Sequence, residues 1–205
     1  MLDIKKQIAL ILGSECPIGT IAKSTLKSKN YTIIKHGCKK RNIKNYYQID
    51  LTNYKEIEKN INKFKEIDTL VSCVGGNKGF GNKHKLEEKD IDLIFEINLL
   101  GNIKFCSCAL ENTNVKNIIL FGSGVVGKYF DNCNLLHYSC AKSALHEYVF
   151  QISNIYKNIK INCISPHPKE QMLHNNLSQN ETTEKIRKKI LQIIKEDITG
   201  NIFFI

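Results

Sequence analysis

The sequence predicts a single α/β domain built on one parallel, doubly wound sheet of about seven strands, with helices on both faces. Three observations carry this. Short apolar, β-branched runs alternate with longer helical patterns from end to end. The runs are nearly continuous in apolar residues, which means burial on both faces and hence parallel strands covered by helices. The chain has 205 residues and 42% hydrophobic content, enough for one domain with a sizeable core and too little for two ordinary ones.

The elements follow in order. A first strand at 7–12 (QIALIL) runs into Gly13, and a helix at 18–28 begins beside Gly19. Strands at 31–35 (YTIIK) and 45–51 precede a helix at 54–64. A strand at 67–74 (IDTLVSCV) leads to a helix at 87–112, where Ile91, Ile94, Phe95, Asn98 and Leu99 recur at three- and four-residue steps. Strand 116–122 (KNIILFG), helix 137–157, strand 159–165 (IKINCIS), helix 182–195 and strand 201–205 complete the chain. Right-handed crossovers then give the doubly wound arrangement. Two long irregular pieces, 75–86 and 167–180, both follow strand ends, the side on which such sheets bind ligands.

Composition narrows the function. No run of about twenty apolar residues is evident, so no membrane span is expected. The start, MLDIKKQIALILG, lacks a small-residue cleavage site and runs directly into the glycine turn, so it reads as a strand. Eight cysteines are scattered without a CxxC pair, which argues against a zinc site and for reduced, buried thiols in a cytoplasmic protein; no metal ligands are expected. The net charge is +10, but the lysines are spread along the chain, and Arg41 and Arg187 are its two arginines. Without a basic block interleaved with aromatics, nucleic acid is not the expected partner.

Two motifs carry chemistry. GSECPIGT at 13–20 sits where a strand turns into a helix, so a phosphate there would face free N–H groups and the positive end of the helix dipole. The GxGxxG spacing is absent, and Pro17 stands between the glycines. The second motif is a tyrosine followed four residues later by a lysine, which occurs at Tyr31/Lys35, Tyr138/Lys142 and Tyr156/Lys160. The first pair lies in a strand and would be more than roughly 10 Å apart. The last spans a helix end. Tyr138 and Lys142 open a long helix and share one face a turn apart, after a strand ending in Gly122-Ser123-Gly124.

With these pieces in order, the chain resembles the short-chain dehydrogenase/reductase family nearly from end to end. GSECPIGT resembles the family's glycine turn, Asp50-Leu51 its acidic residue near the adenine, and LVSCVGG at 70–76 its strand-four segment, with Ser72 and Cys73 in place of asparagines. INLLG at 97–101 resembles the segment carrying the catalytic asparagine, here Asn98; YSCAKSAL at 138–145 resembles the start of the catalytic helix. INCISP at 161–166 and DITGN at 197–201 resemble the last two strand boundaries. The departures are Pro17, the altered asparagine segment, His167 after Pro166, and the missing threonine near the nicotinamide amide.

The resemblance implies a Rossmann-like fold and hydride transfer between a nicotinamide cofactor and a carbonyl or alcohol carbon. Tyr138 is then the acid/base and Lys142 lowers its pKa and holds ribose hydroxyls. Ser123 donates to the carbonyl oxygen, and Asn98 fixes a water linking Lys142 to solvent. Cofactor contacts are expected from Gly13, Ser14, Cys16, Ile18, Gly19, His36, Lys39, Asp50, Leu51, Cys73, Gly75, Tyr138, Lys142 and Pro166. Two alternatives stay open. Ser123 falls one residue early against the family's glycine spacing, where strand alternation would turn it to the other face unless a bulge restores it. Asn98 could instead satisfy a helix kink. The second strand ends in KHGCKKR with no acid to hold a ribose 2′-hydroxyl, which favours NADP, with NAD possible. Lys78, Lys83, Lys85 and Lys169 near the expected mouth hint at an anionic substrate. A homodimer is expected through helices 87–112 and 137–157. The rival function is a nucleotide-binding sensor or scaffold that keeps the fold without turnover.

Overall fold

The computed structural model describes residues 6–76, 86–126, 135–166 and 181–205. Seven strands form one sheet: β1 (Ile8–Leu12), β2 (Thr32–Gly37), β3 (Tyr46–Gln48), β4 (Thr69–Ser72), β5 (Asn117–Phe121), β6 (Lys160–Ser165) and β7 (Ile202–Phe204). Their order is β3-β2-β1-β4-β5-β6-β7, and every pairing is parallel. The chain therefore winds outward from β1 in one direction, then returns to β4 and winds in the other. This is the doubly wound sheet expected, and its switch point lies between the C-terminal ends of β1 and β4.

The pleat sorts the apolar strand residues into two layers. Leu10, Leu12, Leu70, Ile118 and Leu120 face one cluster, packed with Phe64, Phe105 and Leu145. Ile11, Val71, Ile119 and Phe121 face the other, packed with Ile21, Leu26, Ile186 and Ile190. The first layer is covered by α2 (Tyr54–Ile61, continued as a 3₁₀ turn to Phe64), α4 (Gly101–Asn112) and α5 (Leu136–Ile155). The second is covered by α1 (Pro17–Lys27) and α6 (Glu181–Lys195). Burial of the strands on both faces explains why their sequences do not alternate.

Element bounds fall within a few residues of those expected, with one informative difference. The helix expected at 87–112 is three pieces: α3 (Glu88–Phe95), a π-helical turn (Glu96–Leu100) and α4. This stretch, Glu88–Asn112, also reaches the length and apolarity that a bilayer crossing needs, although no such run was expected. Half of its most apolar window is buried inside the fold, as a core helix requires. As expected, no helix stands between β2 and β3, which residues 38–45 join, although parallel neighbours usually need a crossover of a dozen or more residues.

Candidate active site

The site is built from four chain ends that meet at the switch point. The first is the turn from β1 into α1. Gly13 has φ of 69°. Gly19 packs against the turn so closely that a Cβ there would collide with the Gly13 carbonyl oxygen and press on Ser14. Cys16 is the N-cap of α1, with its sulfur accepting from the Gly19 N–H at 3.2 Å, and Pro17 occupies the first helical position, where its fixed φ suits the helix and its missing N–H costs nothing. His36, at the end of β2, braces this turn from below. Its Nδ1 accepts from Gly13 N at 3.2 Å and its Nε2 lies 2.9 Å from the Ile49 carbonyl, which sets a neutral ring protonated at Nε2. Burial also lowers its pKa.

The second end is β4, continued by Cys73, Val74, Gly75 and Gly76. Gly75 has φ of 147°, and a Cβ on it would lie 2.7 Å from Asn98 Oδ1 and 2.8 Å from Lys142 Nζ. Only a glycine fits between these two polar side chains. Asn98, fully buried, comes from the π-helical turn. Its amide nitrogen donates to the Ile94 and Gly76 carbonyls, both at 2.9 Å, and its oxygen accepts from Gly76 N at 2.8 Å. The widened turn thus lets one side chain satisfy the helix irregularity and clamp the β4 loop at once. One turn on, Asn102 donates to the Asn98 carbonyl at 3.3 Å and accepts from Ser72 Oγ at 2.5 Å. Asn102 was not singled out in the sequence; the signal was a second asparagine four residues after the first, on the buried face.

The third and fourth ends are β5 and the start of α5. Lys142 is 2% exposed, and its Nζ donates to the Phe121 carbonyl at 2.8 Å. Burial pulls its pKa down to about 8. Its ammonium lies 5.8 Å from the centroid of the Tyr138 ring. Tyr138 is buried against Ile94, Val125 and Ala141. Ser123 is fully buried and accepts from Val125 N at 3.4 Å, and it lies near enough to the Tyr138 hydroxyl to act on its pKa. β5 ends at Phe121, so strand alternation stops there and Ser123 lies in the turn beyond it. One expectation is corrected. The Tyr138 pKa is raised, since burial outweighs the effect of Ser123, and the lysine does not bring it down.

These ends enclose a cavity of about 190 Å³ whose lining includes Cys16, Ile18, Cys73, Gly75, Tyr138 and Lys142. Gly13, Ser14, Gly19 and Pro166 do not line it; Ser14, Gly19 and Pro166 are buried, and Pro166 accepts from Gly124 N at 2.9 Å. Other expected contacts are placed elsewhere. Both His36 ring nitrogens are engaged by main chain, so the ring supports the glycine turn instead of offering itself to a ligand. The Asp50 carboxylate accepts from Thr52 N at 2.9 Å and Thr52 Oγ1 at 2.8 Å, shaping the entry to α2. Leu51 is core, and Lys39 lies in the exposed β2–β3 loop. Lys78, Lys83, Lys85, Lys169 and His167 lie outside the described residues. A larger groove of about 530 Å³ runs along α1 and β2 and carries Lys23, Lys27, Lys35 and Lys44. It contains neither Tyr138 nor Lys142, so size alone does not mark the chemistry. Among the described residues no three His, Cys, Asp or Glu side chains gather as a metal site.

The model of the family described as short chain dehydrogenase matches residues 7–182. The chain belongs to the short chain dehydrogenase family. Solved members share its fold at low identity. A 3-oxoacyl-[acyl-carrier protein] reductase from Brucella melitensis superposes with a TM-score of 0.82 at 16% identity, over 98% of this chain and 95% of that one. The aldohexose dehydrogenase of Thermoplasma acidophilum gives 0.78 at 15% identity, over 99% and 93%. A short-chain dehydrogenase/reductase from Serratia marcescens gives 0.76 at 18% identity, over 97% and 95%. No curated protein matches the chain in sequence. Membership of a dehydrogenase family, with dehydrogenases and reductases as neighbours, supports an oxidoreductase activity.

Proposed function

We propose that this short chain dehydrogenase is an NADP-dependent oxidoreductase that moves a hydride between the nicotinamide and a carbonyl or alcohol carbon. The observation that carries the proposal is the meeting of Tyr138, Lys142 and Ser123 beside a cavity lined by the start of α1. The residues present fit a dinucleotide. Gly13 and Gly19 let the turn and α1 pack tightly together, the start of α1 at Cys16, Pro17 and Ile18 lines the cavity, and the β2–β3 loop exposes Lys39, Lys40 and Arg41. Gly13, Ser14, Cys16, Ile18 and Gly19 would hold the phosphates, and Lys142 the nicotinamide ribose. The cofactor supplies the hydride.

The chain's own residues manage the proton. A phenol held above its ordinary pKa stays protonated at neutral pH, so Tyr138 is set to donate to a substrate oxygen in reduction. Ser123, near the phenol, donates to the same oxygen as charge develops on it. Lys142, brought by burial to a pKa of about 8, can pass a proton at neutral to mildly alkaline pH. Asn98 keeps Gly75 and Gly76 in place so that the ammonium has room. The decisive experiment is a thermal-shift panel with NADPH and NADH, followed by turnover of NADPH with a set of carbonyl compounds. Binding of neither nucleotide overturns the proposal. Binding without turnover on a broad panel leaves the second reading, a nucleotide sensor or scaffold, which Pro17 in the cavity wall and the unassisted phenol favour. A cytoplasmic homodimer belongs to the same proposal. Leu93, Leu100 and Phe150 stand 38%, 37% and 52% exposed on α3, the π turn and α5, and sedimentation at micromolar concentration tests the dimer.

A further inference from the structure

Two cysteines from distant parts of the chain, Cys16 and Cys73, meet in the wall of the nucleotide cavity. Cys16 caps α1, half-buried and open to the cavity; Cys73 follows β4 and is buried. As a thiol, Cys16 donates to the Cys73 carbonyl at 3.6 Å. Its sulfur also accepts from the Gly19 N–H at 3.2 Å. Both belong to the apolar cluster under α1. Neither takes part in the proton chemistry of Tyr138.

We propose that Cys16 and Cys73 form a redox-active dithiol site that reacts with low-molecular-weight disulfides and closes into an internal disulfide across the cavity. Cys16 is the attacking sulfur. Donors from Cys73 and Gly19 outweigh its burial and hold its pKa near 7, so much of it is thiolate at neutral pH. Burial instead pushes Cys106 up to about 12 and Cys163 up to about 11, and Cys108 also upward. In the first step the Cys16 thiolate attacks one sulfur of the small disulfide, whose S–S bond breaks and releases one thiolate. In the second the Cys73 sulfur attacks Cys16 as its proton passes to that thiolate, and the second small thiolate leaves, taking back from solvent the proton that Cys16 lost on ionising. Two protein thiols are oxidised, and one disulfide is reduced to two thiols.

The consequence rests on the nucleotide reading. The internal disulfide takes the Cys16 sulfur from the Gly19 N–H and ties the start of α1 to the loop after β4, where the phosphates would enter. Bound nucleotide should shield the pair in turn.

The test uses the full chain with excess oxidised glutathione at neutral pH, capping of remaining thiols with N-ethylmaleimide, and peptide mass spectrometry. The expected product is a Cys16–Cys73 linked peptide pair lacking two hydrogens and released by dithiothreitol. Cys73→Ser should stop at a glutathione adduct on Cys16, and Cys16→Ser should give neither product. The proposal is overturned if wild-type Cys16 stays free, or if it holds glutathione without passing on to Cys73. A parallel arm adds NADPH at about ten times its Kd, which leaves roughly a tenth of sites open and should slow oxidation about tenfold. An unchanged rate there, with the linked peptide still formed, supports the dithiol and removes the nucleotide from this cavity.

Discussion

Lys142→Met should make the protein more stable and inactive. The ammonium is 2% exposed and its pKa falls from 10.5 to about 8. At about 1.4 kcal/mol for each pKa unit, folding with this group charged costs on the order of 3 kcal/mol at pH 7. Methionine keeps most of the volume and removes the charge, but it leaves the Phe121 carbonyl without its donor, a loss of about 1 kcal/mol. The net gain is about 2 kcal/mol. For a chain of this length that is a rise in Tm of about 4–8 °C.

The pH dependence identifies the cause. The Lys142 pKa is lower in the folded chain than in the unfolded one, so between about pH 8 and 10.5 the unfolded state holds a proton that the folded state has released. Wild-type stability therefore gains from this group as pH rises through that window, and below it the penalty is present in full. The advantage of the methionine variant should be constant below pH 8 and fade toward pH 10.5. Thermal melts of both proteins across pH 7–10 measure it. A variant less stable than wild type at pH 7, or an advantage that does not change with pH, refutes the reasoning.

Tyr138→Phe should lower kcat by about 10²–10⁴ while leaving NADPH affinity nearly intact, whereas Lys142→Ala should damage both; equal loss of binding in the two would refute this division of roles. Gly75→Ala should cost about 1–3 kcal/mol and disrupt nucleotide binding, because the new Cβ meets Asn98 Oδ1 and Lys142 Nζ in a left-handed conformation; a wild-type melting temperature would contradict it. Asn102→Leu strands the Ser72 hydroxyl in the core and should destabilise by about 1–3 kcal/mol in urea. Pro17→Gly should tighten NADPH by about tenfold without moving the pH profile of turnover, and unchanged or weaker binding would show that the proline displaces no phosphate contact.

What the sequence disclosed divides by the range over which it was decided. Strand and helix bounds follow from local patterns, and Tyr138 and Lys142 from helical spacing, so both were legible. The glycines at 13 and 19 were legible as a turn, and proline at the first helical position is compatible with it. The placements of His36, Asp50 and Ser123 were not, because each is held by a partner the sequence does not display. His36 stood among basic residues at a strand end and looked available to a phosphate, yet its ring is taken by Gly13 and Ile49 from two other segments. Asp50 turns to its own neighbour, Thr52. Ser123 was judged by alternation beyond the point where β5 had ended.

The tyrosine shows the same limit in energetic form. Helical spacing alone suggests that a cation one turn from a phenol must lower its pKa. Once both are buried, desolvation acts on each and against the charged form of each, raising the phenol and lowering the amine. The pair then rests as neutral phenol above an amine that titrates near pH 8, so the catalytic proton is stored on Tyr138. Its release is coupled to whatever next enters the cavity and changes the solvation of both. Gly75 is where that coupling is physically set. Strand four, the π turn and α5 each supply one of the groups that meet there, and the absent side chain is what lets Lys142 and Asn98 approach. A substrate oxygen arriving beside Ser123 and Tyr138 would exclude solvent from the phenol and bring its developing charge to the two hydroxyls. On the proposed hydride transfer, the neutral phenol would serve reduction, and oxidation should need the higher pH at which Lys142 is neutral and can accept the proton.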